Sequence, residues 1–79
     1  MNLYIVLDRG YDWCCFVFAK SRNTAKKLAA DLFDLEYIEM RARTIAKNTE
    51  ISGEAVVDDN EHKLYETVKK YGCEFAEEV

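Results

Sequence analysis

Proline is absent from this chain and glycine occurs only three times in 79 residues. That scarcity excludes a flexible Gly-rich or Pro-rich linker and leaves few sharply punctuated loops. Long apolar runs are missing too. The longest, Leu3 to Leu7 and Trp13 to Ala19, fall far short of the roughly 20 residues a membrane helix needs. Asp8 and Arg9 interrupt the N-terminal apolar segment too early for a cleavable leader, so a soluble cytoplasmic protein is expected. Cysteine is odd in number, with Cys14, Cys15 and Cys73 lacking the paired C-x-x-C spacing of zinc and redox sites. Adjacent strand residues point to opposite faces, so Cys14 and Cys15 are poorly placed to share a metal. Small core residues in a reducing compartment are the simpler reading. There is one histidine, His62, and no G-x-S-x-G, P-loop or H-E-x-x-H pattern. Nothing in the sequence calls for an enzyme, a metal or a cofactor.

What is present is enough for one core. Apolar residues make up 49% of the chain, which argues against disorder. At this length the chain forms a single domain, residues 1–79, with no room for a second core. Leu3 to Leu7 reads as a strand, and Asp8 to Asp12 as a turn cluster. Trp13 to Ala19 returns as a second strand, giving an antiparallel hairpin. Both strands are apolar on both faces, so something must cover each face.

Ser21 is a natural N-cap. After it, Ala25, Leu28, Ala29, Leu32 and Phe33 form one helical stripe, which predicts a helix packed on the sheet. From Tyr37 to Ile45 the period changes to 2. Ile38, Met40, Ala42 and Thr44 alternate with Tyr37, Glu39, Arg41, Arg43 and Ile45, predicting a third strand with its charged row away from the helix. Asn48 to Asp59 reads as a loop or irregular strand around Ala55-Val56-Val57. Asp58 and Glu61 have the spacing of a capping box. A second helix should run to about Tyr71, presenting Leu64, Val68 and Tyr71 with Tyr65 alongside, and stop at Gly72.

The expected architecture is α+β: a small antiparallel sheet of about three strands with a packed helix and a C-terminal helix, in the order ββαβα. The sequence leaves open whether the second helix covers the other sheet face or lies beside the first. If that face stays open, Phe16, Phe18 and Tyr4 or Tyr37 form an aromatic patch that invites a homodimer.

Phe18-Ala19, Ser21-Arg22 and Ala25-Lys26, followed by Ile38 and Arg41-Ala42-Arg43, make a pattern that resembles one in small phage and prophage proteins. The later VVDD and YGCEF segments are similar as well. The chain departs in having Asn23-Thr24 where a glycine-containing helix start is expected, and no proline after the third strand. The resemblance covers most of the chain in short pieces. It implies a mobile-element accessory protein, located in the host cytoplasm if phage-encoded, and carries no assigned chemistry.

Charge is divided unevenly. Residues 1–48 hold eight Lys/Arg and six Asp/Glu, a net +2; residues 49–79 hold three and nine, a net −6. Three binding classes follow. The first is a non-catalytic protein binder, using the acidic second helix around Asp58, Glu61 and Glu66 or the aromatic sheet face; analogy with phage accessory proteins suggests inhibition of a host or defence factor. The second is a nucleic-acid regulator using Lys20, Arg22, Lys26 and Lys27 with Arg41 and Arg43, and Tyr37 or Trp13 for stacking. The acidic isoelectric point, about 4.9, weighs against it. The third is a small-anion or nucleotide sponge, using Arg41, Arg43 and aromatics around a dimer seam; separately, the helix-start amides beside Arg22 make an anion position. Ion pairing within the charged faces, Asp31 with Lys27 for example, is the competing structural explanation for all of these residues.

Overall fold

The computed structural model describes residues 1–10, 14–58 and 62–73. Four strands and two long helices follow in the order ββαββα: β1 (Asn2–Asp8), β2 (Cys14–Ala19), α1 (Arg22–Phe33), β3 (Met40–Ala46), β4 (Ala55–Val57) and α2 (His62–Lys69). The strands form one antiparallel sheet in the order β3-β1-β2-β4. The α+β class is as expected, with a fourth strand in the segment read from sequence as a loop or irregular strand. Ala55-Val56-Val57 pairs with β2, and Val57 is fully buried. Trp13 and Glu61, assigned above to a strand and a capping box, lie outside the described residues.

The two apolar faces of the hairpin are covered by different helices. On one, Tyr4, Val6, Cys15, Val17, Ala19 and Met40 pack against Ala25, Ala29 and Ala30 of α1. On the other, Leu3, Phe16, Phe18 and Val57 pack against Tyr65 and Val68 of α2. α2 therefore covers the second sheet face, and Phe16 and Phe18 are fully buried rather than open to a second copy. The two helices sit at different heights. Alanines let the α1 backbone approach the strands closely, whereas α2 rides on stacked rings, with the Phe16 and Tyr65 centroids 6.2 Å apart.

Several details differ from the periodic pattern. Leu32 is 45% exposed, and Ala30 takes its place in the core. The reason lies in how the chain leaves α1. Asp34 adopts the left-handed conformation (φ 56°), and the N–H groups of Asp34 and Leu35 both bond to the Ala30 carbonyl. The chain then folds back along the Asn23–Lys26–Ala30 side of the helix, where the Tyr37 hydroxyl donates to Asn23 Oδ1 at 3.0 Å. That turn also shortens the third strand. Tyr37–Glu39 forms one 3-10 turn instead of strand, leaving Ile38 72% exposed and taking Tyr37 and Glu39 out of the arginine row. In α2 the buried pair is Tyr65 and Val68, while Tyr71 is exposed beyond the last turn, before Gly72 at φ 79°.

The segment between β3 and β4 runs from one sheet edge to the other, past the ends of β1 and β2. Met1 pins it. Its backbone nitrogen donates to the Ile51 carbonyl at 2.7 Å, and its carbonyl accepts from Thr49 N–H and Oγ1. Asn2 Oδ1 accepts from Asn48 N–H at 3.1 Å. These bonds carry Lys47 to the α1 end of the sheet.

Close packing of α1 makes a direct prediction. Ala29→Leu should overpack the interface and lower stability by about 1–3 kcal/mol, read as a lower urea midpoint. Leu32→Ala should stay within about 0.5 kcal/mol of wild type. Equal damage from both would mean that α1 is rotated from the orientation described.

Candidate functional site

Among the described residues no charged side chain is buried, so their charged groups lie on the rim. An open depression of about 530 Å³ lies at the start of α1, lined by Asn2, Tyr4, Lys20, Ser21, Arg22, Asn23, Thr44 and Lys47. Three elements build it. The end of β2 delivers Lys20 directly into the helix start, the Tyr4–Thr44 pairing of β1 with β3 forms the floor, and the pinned segment after β3 supplies Lys47.

Local bonding sets the polarity of the site. Ser21 is extended (φ −146°, ψ 162°). Its Oγ accepts from Thr24 N–H at 3.2 Å and donates to Thr24 Oγ1 at 3.0 Å, so this hydroxyl is a helix cap and has no free proton. The Ala25 N–H bonds the Ser21 carbonyl. Among the described residues, the Arg22 and Asn23 amides have no acceptor, as expected for the first turn of a helix. Asn23 Oδ1 is engaged by Tyr37, which leaves its two amide N–H donors. The buried ring of Tyr4 brings its hydroxyl to the floor, where it accepts from Asn2 Nδ2 at 3.1 Å and keeps its own proton to donate. Donors and cations thus dominate. No carboxylate lines the depression, and Lys20, Arg22 and Lys47 form no ion pair with a described residue.

The residues singled out by sequence are distributed over several surfaces. Arg22 lines the depression. Lys26 and Tyr37 are engaged with each other, the ammonium 5.4 Å from the ring centroid, so both brace α1. Arg41 and Arg43 are exposed on the opposite sheet face, paired in register with Leu7 and Ile5. The basic helix start and the arginine row are therefore two surfaces, not one. Glu66 is exposed and 3.9 Å from Lys69. Glu61 lies outside the described residues. The α2 surface also carries Lys63 and Lys69, followed by Lys70, which sits 3.3 Å from Glu50. These lysines dilute the acidic face expected there. Asn2, Thr44 and Lys47 were not singled out, and Tyr4 was named only for an aromatic patch, because only the strand register brings them to the helix start.

Cys14 and Cys15 do point to opposite faces, packing with the α2-side and α1-side clusters respectively. Among the described residues no group of three or more His, Cys, Asp or Glu side chains could hold a metal ion, and no helix is long and apolar enough to cross a membrane. No protein-family model matches this chain, and neither a curated protein nor a solved structure is similar to it.

Burial raises the Cys15 thiol from 9.0 to about 12, with lesser contributions from Cys14 and Asp58. The folded chain thus holds a proton that the unfolded chain releases at lower pH. The stability this contributes is complete below 9.0 and is lost as pH rises toward about 12. Across that window the urea midpoint of the wild type should fall more steeply than that of Cys15→Ala. Parallel declines would show that Cys15 does not carry the effect.

Proposed function

We propose that this chain is a non-catalytic accessory protein of the phage or mobile-element type, working in the cytoplasm by binding, and that the depression at the start of α1 takes a phosphate-bearing small ligand. One observation carries the reading: Lys20, Arg22 and Lys47 converge, without ion pairs to described residues, on one concavity of a chain whose net charge is −4. On an acidic protein, three cations held together run against the overall charge and create a local field for an anion.

The chemistry of the lining supports phosphate in particular. The arginine fork can pair two phosphate oxygens, while the lysines act as point charges. The Arg22 and Asn23 amides and the positive end of the α1 dipole add donors directed at the same space. A volume of about 530 Å³ suits a small ligand rather than a macromolecular groove. The same lining supports binding without turnover, since no carboxylate, imidazole or thiol there could serve as a general base, and the Ser21 hydroxyl is committed to its cap. Of the aromatic residues first considered for a protein partner, Phe16 and Phe18 are buried on the α2 side, Tyr4 is buried on the α1 side, and Tyr37 is exposed but engaged by Lys26 and Asn23.

Calorimetric titration with inorganic pyrophosphate and with ATP, at low and at physiological salt, tests this. Saturable binding that weakens as salt rises is expected. Arg22→Glu or Lys47→Glu should weaken it by about tenfold or more, equivalent to ~1.4 kcal/mol, with the urea midpoint unchanged. Absence of binding to either ligand at low salt would overturn the reading. So would binding that Arg22→Glu and Lys47→Glu leave intact.

A further inference from the structure

Among the described residues nothing pairs with the outer edge of β3. β3 is seven residues long and stands at the end of the sheet, with β1 as its one strand partner among the described residues. In an antiparallel edge strand every second residue turns both its N–H and its C=O outward. Among the described residues, the one other backbone bond to β3 is at its start, where the Met40 N–H donates to the Tyr37 carbonyl. The opposite edge differs, because β4 spans only three residues. A long open edge invites another strand, and proteins usually shorten it, charge it or cover it. Here it is charged on one face alone. Arg41 and Arg43 project on the α2 side, exposed and without an ion pair to a described residue, while Met40 and Ala42 face the α1-side core.

We propose that β3 is a docking edge for an extended acidic segment of a partner protein, added as a fifth strand by β-augmentation. Charge decides the occupant. A second copy pairing antiparallel about a two-fold axis near Ala42 or Arg43 would set arginine against arginine on one face, which is destabilising. A strand with Asp or Glu at alternate positions instead places carboxylates opposite Arg41 and Arg43. Side chains two residues apart in both strands are separated by about 6–7 Å, so two bidentate pairs can form together. On its other face the added strand meets Ala42, so an apolar residue suits its intervening position. The preferred segment therefore alternates acidic and apolar residues. Backbone bonds supply affinity and the arginine row supplies selection.

The test uses the full chain and a fluorescein-labelled, end-capped peptide of alternating glutamate and valine. Fluorescence anisotropy should show saturable, salt-sensitive binding, and the matching lysine–valine peptide should not bind. Arg41→Glu with Arg43→Glu should weaken binding by about tenfold or more while leaving the far-UV spectrum and urea midpoint intact. An N-methylated glutamate–valine peptide keeps its charge and loses backbone donors, and should also bind about tenfold weaker. Amide exchange should slow in β3 alone when the peptide binds. Four results would each overturn the proposal: no binding at low salt, equal binding of the glutamate and lysine peptides, protection outside β3, or a wild-type dimer whose β3 amides are protected without peptide.

Discussion

Everything in this fold depends on the need to bury β2 from both sides. Cys15 to Ala19 are five consecutive buried residues, and their side chains alternate between the two faces of the sheet. A strand of this kind cannot lie at the surface of a two-layer structure, since one face would be left in water. It requires a helix above and a helix below, with strands on both flanks, and the chain supplies all four. β1 closes one flank along its whole length, whereas β4 closes the other with only three residues.

The two covering layers meet that requirement by different means. α1 offers alanines and approaches closely, so its orientation depends on which small residues face the strands. The foldback through Asp34 and Tyr37 fixes that choice, burying Ala30 and releasing Leu32. α2 is only eight residues long and stands on aromatic rings. Its cluster takes in Leu3 of β1 as well as Phe16, Phe18 and Val57, and Arg41 and Arg43 are exposed on the same face of β3. Among the described residues no charged side chain is buried, so the cations lie at the rim. The depression at the start of α1 and the row along β3 are the two places where the rim gathers them.

Much of this was legible in the residues. The hairpin, the Ser21 cap, the α1 helix, the alternation through Arg41 and Arg43, and the stop at Gly72 all follow from local periodicity or single-residue chemistry. The misreadings share one cause. Tyr37 to Glu39 continues the alternating pattern of β3 yet turns out of it, because the chain must fold back against α1 before it can join the sheet. Ala55 to Val57 is too short to announce a strand, and becomes one through the partner it finds in Phe16, Val17 and Phe18. For the same reason the sequence merged two basic surfaces into one. Arg22 and Arg43 are close in character, and only the opposition of sheet faces separates them.

The sequence by itself determined the α+β class and the two-sided core, because hydrophobic periodicity and capping act over a few residues and need no distant partner. Tertiary structure alone decided which helix covers which face. It also brought Lys47, Thr44 and Tyr4 to the start of α1, and left β3 at one edge of the sheet with β4 at the other. Those outcomes depend on strand order and register, which arise from contacts between residues far apart in the chain and leave no trace in local spacing.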